Sequence, residues 1–136
     1  VWQPRLHIGA GLVNEPGALA WNELATRDIP AATAFYGEVF GWKAETADMG
    51  EMEYTMWKLG GSDIGGMMAM PAEVPAEVPS YWLAYFGTAD TDATVATATA
   101  GGATLMAGPM DIPAGRFAVM ADPVGAAFAV IALAAT

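Results

Sequence analysis

The stretch Trp21 to Trp42, WNELATRDIPAATAFYGEVFGW, decides how the rest of the chain is read. Its first part alternates. Trp21, Glu23 and Ala25 point one way and Ala20, Asn22 and Leu24 the other, the period of a strand over Ala18 to Thr26. Asp28 then suits a helix N-cap, and Pro30 fits the first turn, where its missing N–H costs nothing. The spacing predicts a helix over Ala31 to Phe40. Its expected buried stripe is Ala32, Phe35 and Val39, with Tyr36 and Phe40 beside it. Gly41 ends it.

Outward from this stretch, three short strands are predicted: Trp42 to Ala47, Glu53 to Leu59 and Ile64 to Met70. A Gly-Gly-Ser-Asp turn joins the last two. PAEVPAEVP, residues 71–79, carries prolines at a spacing of four, which preclude a helix interior or central strand; it reads as a stiff extended connector. A second round follows. Tyr81 to Thr88 is a strand, Asp90 or Asp92 caps a helix through Ala100, and strands are expected near Ala103 to Ala107, Arg116 to Ala121 and Ala126 to Leu133. Asp122-Pro123-Val124-Gly125 is the turn between the last two. Residues 1–17 show no sustained period and read as an arm or an interdomain linker.

The two rounds match in order: strand, helix, three strands. At an offset of 62, Thr26 falls on Thr88 and Asp28 on Asp90; in the later strands the offset is 63, placing Tyr54 on Phe117 and Met56 on Val119. The shared letters are few, and the order of elements carries more weight. The expected class is α+β: two βαβββ modules, residues 18–70 and 80–134, pair their sheets into a curved, incomplete barrel with helices outside. A central cup is then the default binding site.

With 136 residues the chain is one domain, residues 18–136, plus the arm. The formal net charge of −10 sets 15 acids against five scattered bases, which argues against nucleic acid and anionic membrane surfaces. There is no Cys, and His7 is the only His, so thiolate chemistry and a His cluster within the chain are excluded. Asp122-Pro123 and Gly125 break the apolar C-terminal stretch into strand-length pieces, so it is no membrane helix. A cytoplasmic protein is expected.

The DxxAATAFYGEVFGW run, the GRFAVMADPVGAAFAV ending and the paired βαβββ order resemble the vicinal oxygen chelate superfamily over roughly residues 18–133. That group includes glyoxalase I, extradiol dioxygenases, fosfomycin-resistance proteins and bleomycin-binding proteins. The FYxxxFGW and DPxGAxF patterns carry the resemblance; they do not select one activity. VWQPRLHIGA is similar to the exit of an upstream copy of the domain, as in actinobacterial tandem glyoxalase-like proteins. A homodimer or a sister domain is therefore an expected partner.

In metal-using members, four side chains line the cup. The resemblance carries those positions onto Trp21, Gly66, Leu83 and Ala129. None of these ligates a divalent cation through its side chain, so no metal and no other cofactor is expected. What remains around the cup is Trp21, Glu23, Met68 and Tyr85, with Tyr54 or Trp57, Trp82 and Arg116 as further candidates. Ile64 is expected on the face of Gly66. Such a cup suits a small apolar or aromatic organic molecule. Two alternatives stand beside that reading. One is an enzyme of the lyase or dioxygenase type, either using a metal or using Glu23 as acid/base; the other is a docking or dimerisation module with a vestigial cup. The bland reading of Glu23 is an ion pair with Arg116 or a hydrogen bond to a neighbouring strand.

Overall fold

The computed structural model describes residues 3–48 and 53–135. Val1 and Trp2 of the arm, and Thr136 of the domain, lie outside the described residues. The elements are β1 (Leu19–Thr26), α1 (Ile29–Phe40), β2 (Lys43–Asp48), β3 (Glu53–Leu59), β4 (Ser62–Ala69), β5 (Tyr81–Gly87), α2 (Thr91–Ala100), β6 (Thr104–Ile112), β7 (Gly115–Ala121) and β8 (Ala127–Leu133). This is an α+β chain with the βαβββ order twice. Two compact units result, Trp21–Ala84 and Val1–Ala20 with Tyr85–Thr136, and the chain passes between them within β1 and within β5. No helix among the described residues is long and apolar enough to cross a membrane.

The two rounds repeat one another in atomic detail. Asp28 and Asp90 both cap their helices by accepting from the N–H three residues on, Ala31 and Ala93, each at 2.9 Å. Asp90, and not Asp92, is thus the second cap. Thr26 and Thr88 each turn a hydroxyl onto the carbonyl of the capping Asp at 3.3 Å. The ladders agree too. Tyr54 pairs with Met68 as Phe117 pairs with Ile131, and Met56 with Gly66 as Val119 with Ala129. In the parallel pairs, Glu23 lies beside Gly66 as Tyr85 lies beside Ala129.

In the Trp21–Ala84 unit the strands run in the order β2-β3-β4-β1. One face of this sheet buries Leu24, Trp57 and Met67 beneath Ile29, Ala32, Tyr36, Trp42, Ala44 and Ile64. The inward stripe of α1 is therefore Ile29, Ala32 and Tyr36. Phe35 and Val39, expected inside, are 57% and 50% exposed. Two stripes at helical spacing compete on this helix, and the one beginning at Ile29 wins because Tyr36 then enters an aromatic cluster. Its ring stacks on Trp42 at 5.6 Å and meets Trp57 and Trp82 edge-on at 5.6 and 5.4 Å. Ile64 also departs from its expected face. The β3–β4 ladder shifts register where Lys58 pairs with Asp63 but Trp57 with Gly65. The extra residue, Ile64, turns to the helix side.

The Pro-rich connector is not extended. Val74 N–H closes on Pro71 O at 3.1 Å and Val78 N–H on Pro75 O at 3.0 Å, so each Pro-Ala-Glu-Val forms one turn. Arg27 clamps the pair, donating from Nε to Val78 O at 3.0 Å and from Nη2 to Pro75 O at 2.7 Å. The prolines do exclude regular structure, but the fixed φ of Pro favours a turn as readily as an extended chain.

In the other unit the order is β5-β8-β7-β6. β6 runs well beyond the predicted Ala107. Register shifts between Leu105 and Ala107 and between Ala107 and Met110 accommodate Pro109 on this outermost strand. The arm is held near its end, where Gly17 N–H bonds Gly87 O at 2.9 Å and Asn14 N–H bonds Leu19 O at 2.8 Å. Leu6 and Ile8 remain exposed. Thr91, 1% exposed, is the staple of this unit. Its hydroxyl donates to Arg116 O at 2.6 Å and accepts from Ala132 N–H at 3.1 Å, tying the start of α2 to β7 and β8. Thr91→Val keeps the shape but strands both backbone groups. It is expected to cost about 1–3 kcal/mol, read as a lower urea midpoint at unchanged slope.

Candidate functional site

The face of the Trp21–Ala84 sheet opposite the aromatic cluster carries the polar chemistry. Strand alternation puts Trp21 and Glu23 there from β1, and the parallel register sets Gly66 of β4 beside Glu23. Tyr54 of β3 reaches diagonally over Gly66. A Cβ built on Gly66 would lie 1.8 Å from the Tyr54 hydroxyl oxygen, so the phenol occupies the room a side chain at 66 would need. Trp21 Nε1 donates to Tyr54 Oη at 3.0 Å. The Tyr54 hydroxyl in turn donates to the Glu23 carboxylate. The result is a directed chain, Trp21 to Tyr54 to Glu23.

Glu23 is buried, whereas Trp21, Tyr54, Met56 and Met68 are half-buried and partly open to solvent. The Tyr54 phenol is pushed well above its ordinary value, first by burial and then by the Glu23 charge; the bond from Trp21 opposes the shift. Tyr54 is therefore neutral and acts through its hydrogen bonds.

The metal positions implied by the sequence can be tested here. Trp21 has its one polar atom turned onto Tyr54, Gly66 has the phenol in place of a side chain, and Leu83 and Ala129 are apolar. These residues do not fit a divalent cation. Among the described residues no group of three or more His, Asp or Glu is placed to hold one.

The other candidates are distributed elsewhere. Trp57 is fully buried on the helix side of the sheet, where its indole N–H has no hydrogen-bond partner among the described residues. Trp82 sits with the same cluster and donates from Nε1 to Tyr36 Oη at 2.8 Å. Neither shares the face of Trp21: alternation places them one residue out of phase with Tyr54 and Leu83. Tyr85, 6% exposed, belongs to the other unit, where it packs 6.0 Å from Phe117. These two stand at the positions that Glu23 and Tyr54 hold in the first unit, so one unit carries a polar pair and the other an aromatic one. Arg116 is a structural ion pair. Its Nε reaches Asp92 at 2.6 Å and its Nη1 reaches Asp111 at 3.0 Å. Asp92 is held below the usual carboxylate range by the bond from Arg116. His7 accepts from Gly9 N–H at 3.2 Å on the exposed arm. Two shallow surface depressions, along Thr88–Ala98 and at Gly41, Lys43 and Lys58, include no residue of the Trp21 chain. Sequence reading missed the closure of Tyr54 onto Trp21. The signal was a Gly on the strand beside an aromatic one, which only the β3–β4 register converts into a contact.

A pH test isolates Tyr54. Its raised value means that the folded state holds the proton more tightly than the unfolded chain. That stability is fully present below about pH 10 and is lost as pH rises toward the folded value, at about 1.4 kcal/mol per pH unit. Wild type is expected to be more stable than Tyr54→Phe at pH 7, with the gap narrowing between about pH 10 and 11. Urea midpoints of the two proteins at both ends check this.

Known proteins share this frame. A sequence model of the Glyoxalase/Bleomycin resistance protein/Dioxygenase superfamily matches residues 18–130. The Mycobacterium tuberculosis protein named "Putative glyoxylase CFP32" is 45% identical over 133 residues, covering 96% of this chain and 50% of that protein. The Streptomyces peucetius "Anthracycline biosynthesis protein DnrV" is 39% identical, covering 85% of this chain and 46% of that protein. The chain thus spans about half the length of the curated relatives it matches. Among solved structures, a variant of Streptomyces coelicolor methylmalonyl-CoA epimerase in complex with 2-nitronate-propionyl-CoA superposes with a TM-score of 0.60 at 20% identity, covering 86% of this chain and 97% of that one. The hypothetical protein BH1468 of Bacillus halodurans gives 0.63 at 12% identity, covering 87% and 95%. These likenesses show a glyoxalase-like fold, and the match across residues 18–130 shows that the chain belongs to the Glyoxalase/Bleomycin resistance protein/Dioxygenase superfamily.

Proposed function

We propose that this domain binds a small, flat organic molecule on the face carrying Trp21, Tyr54, Met56 and Met68, without a metal. The observation that carries this reading is the interlock of Tyr54 with Gly66, which puts a phenol where a ligating side chain would project. A face built from one indole, one phenol and two thioethers favours stacking and soft van der Waals contact over coordination. Partial exposure of all four side chains leaves them reachable. The relatives named for anthracycline biosynthesis fit the same reading, since an anthracycline is a planar polycyclic aromatic. Fold neighbours solved with CoA derivatives are consistent with a small organic partner in general.

A second reading is favoured by Glu23, a buried carboxylate hydrogen-bonded by Tyr54. Such a group is a candidate acid or base. Under that reading, turnover of a bound compound is lost in Glu23→Gln while its binding persists.

The binding reading is tested by titrating a panel of tricyclic and tetracyclic aromatics against intrinsic tryptophan fluorescence. Trp21→Ala is expected to weaken the best ligand by about tenfold or more, corresponding to about 1.4 kcal/mol. Trp82→Ala, on the helix side, is expected to leave affinity within about twofold. Hits that ignore Trp21→Ala would place binding elsewhere.

A further inference from the structure

We infer that the outward face of α1 is a self-association surface: two copies of this chain meet patch to patch over Phe35, Val39 and Phe40 and form a weak, two-fold symmetric dimer. This surface lies on the opposite side of the β2-β3-β4-β1 sheet from the Trp21 face.

The helix is apolar on both sides. IPAATAFYGEVF holds a single charge, Glu38. Ile29, Ala32 and Tyr36 face the sheet, which leaves Phe35, Val39 and Phe40 exposed by 57%, 50% and 40%. A helix apolar all round belongs in an interior. The exposed rings are also contiguous. Phe35 meets Tyr36 at 5.1 Å, Phe40 stacks on Trp42 at 5.0 Å, and the half-exposed Trp82 lies 5.4 Å from Tyr36. Tyr36 and Trp42, 5.6 Å apart, join them into one patch, and apolar surface gathered in this way marks an interaction site. The repeat supplies a control. At the offset of 62, Phe35 falls on Thr97, and Val39 and Phe40 fall on Gly101 and Gly102 at the end of α2. Those three residues are exposed as well, and α2 docks without a large apolar side chain at any of them. The shared frame therefore does not require Phe, Val and Phe at these positions, and their side chains answer to something outside the fold.

Charge selects the occupant. α1 carries no base, and all but one of the 15 acids of the chain lie outside it, so a basic partner is drawn to other surfaces and an acidic one finds nothing to pair with. Two copies, each at a formal −10, repel wherever charged surfaces approach. The neutral patch offers an approach without that repulsion. Set on a two-fold axis, it is its own complement, apolar against apolar. Its size sets the strength. The open parts of Phe35, Phe40 and Trp82 amount to roughly 300 Å², against roughly 800 Å² per partner in a standard interface. That is the core of a small interface, and it corresponds to a reversible dimer with a Kd on the order of 100 μM.

Sedimentation velocity of the full chain, run from about 5 μM to about 1 mM, reads the equilibrium directly. At about 150 mM salt a fast monomer–dimer exchange is expected, and about 1 M salt is expected to tighten it about threefold or more, because salt screens the repulsion between copies and leaves apolar contact intact. Phe35→Thr combined with Val39→Thr is expected to weaken association about tenfold or more, at an unchanged urea midpoint, since both side chains are exposed in the monomer. Val124→Thr, at a fully exposed turn position of the other unit, is expected to leave association as it is in wild type. Flotation with phosphatidylcholine vesicles checks the competing occupant, and no binding is expected. A wild-type chain that stays monomeric to about 1 mM overturns the dimer, and so does association that loosens with salt, survives the double substitution or grows beyond two copies. Vesicle binding that is lost in the double variant overturns it too and gives the patch to a lipid surface.

Discussion

A phenol over a glycine is the contact on which the polar face of this domain depends. Tyr54 can reach over β4 only because Gly66 has no Cβ, and a single added carbon there would collide with its hydroxyl. Once seated, the hydroxyl has one donor above it and one acceptor beside it, Trp21 and Glu23, both delivered by β1. Three strands thereby meet at one oxygen. The arrangement gives a buried carboxylate a hydrogen-bond donor, and a carboxylate is a costly group to bury without one. It also consumes the space and the side chain from which a metal site would be built.

The opposite face supplies the rigidity. Tyr36, Trp42, Trp57 and Trp82 form a connected cluster with ring centroids 5.4–6.1 Å apart, and α1 is docked through Tyr36 rather than through Phe35 or Val39. Such pairs contribute beyond the area they bury. The strands that carry Trp21 and Tyr54 are therefore backed by large, closely packed rings. A binding face on stiff strands keeps its geometry better than one on loops. The exposed Phe35 and Val39 follow from the same choice: a helix of this width has room for one inward stripe.

The repeat explains why the two units differ chemically while agreeing in backbone. Caps, parallel registers and antiparallel registers coincide at the offsets of 62 and 63 seen in the letters. Onto that common frame the first unit places Glu23 and Tyr54, and the second places Tyr85 and Phe117. Backbone geometry is set by glycines, caps and alternation, which tolerate substitution at the facing positions. Those facing positions are where the two copies have diverged.

The sequence by itself determined the class, the order of elements, the Asp28 cap, the turn at Asp122 and the identity of the non-ligating side chains at Trp21, Gly66, Leu83 and Ala129; it left the second cap open between Asp90 and Asp92. All of these rest on local rules: alternation, capping, the missing N–H of Pro, and side-chain identity. It left Phe35 and Ile64 on the wrong side, drew the Pro-rich connector as extended, and offered Trp57, as an alternative to Tyr54, and Trp82 as candidates to close the cup. Each of those depends on a non-local choice. Which of two helical stripes faces in is settled by the rings waiting on β3 and β5; where Ile64 points is settled by one shift in the β3–β4 ladder; the connector turns because Arg27, distant in sequence, donates to its carbonyls. The joining of Trp21, Tyr54 and Glu23 is of the same kind. Residue alternation places each on a face, but only the pairing of strands distant in sequence brings three side chains to one hydroxyl, because register is a property of the sheet and not of any strand alone.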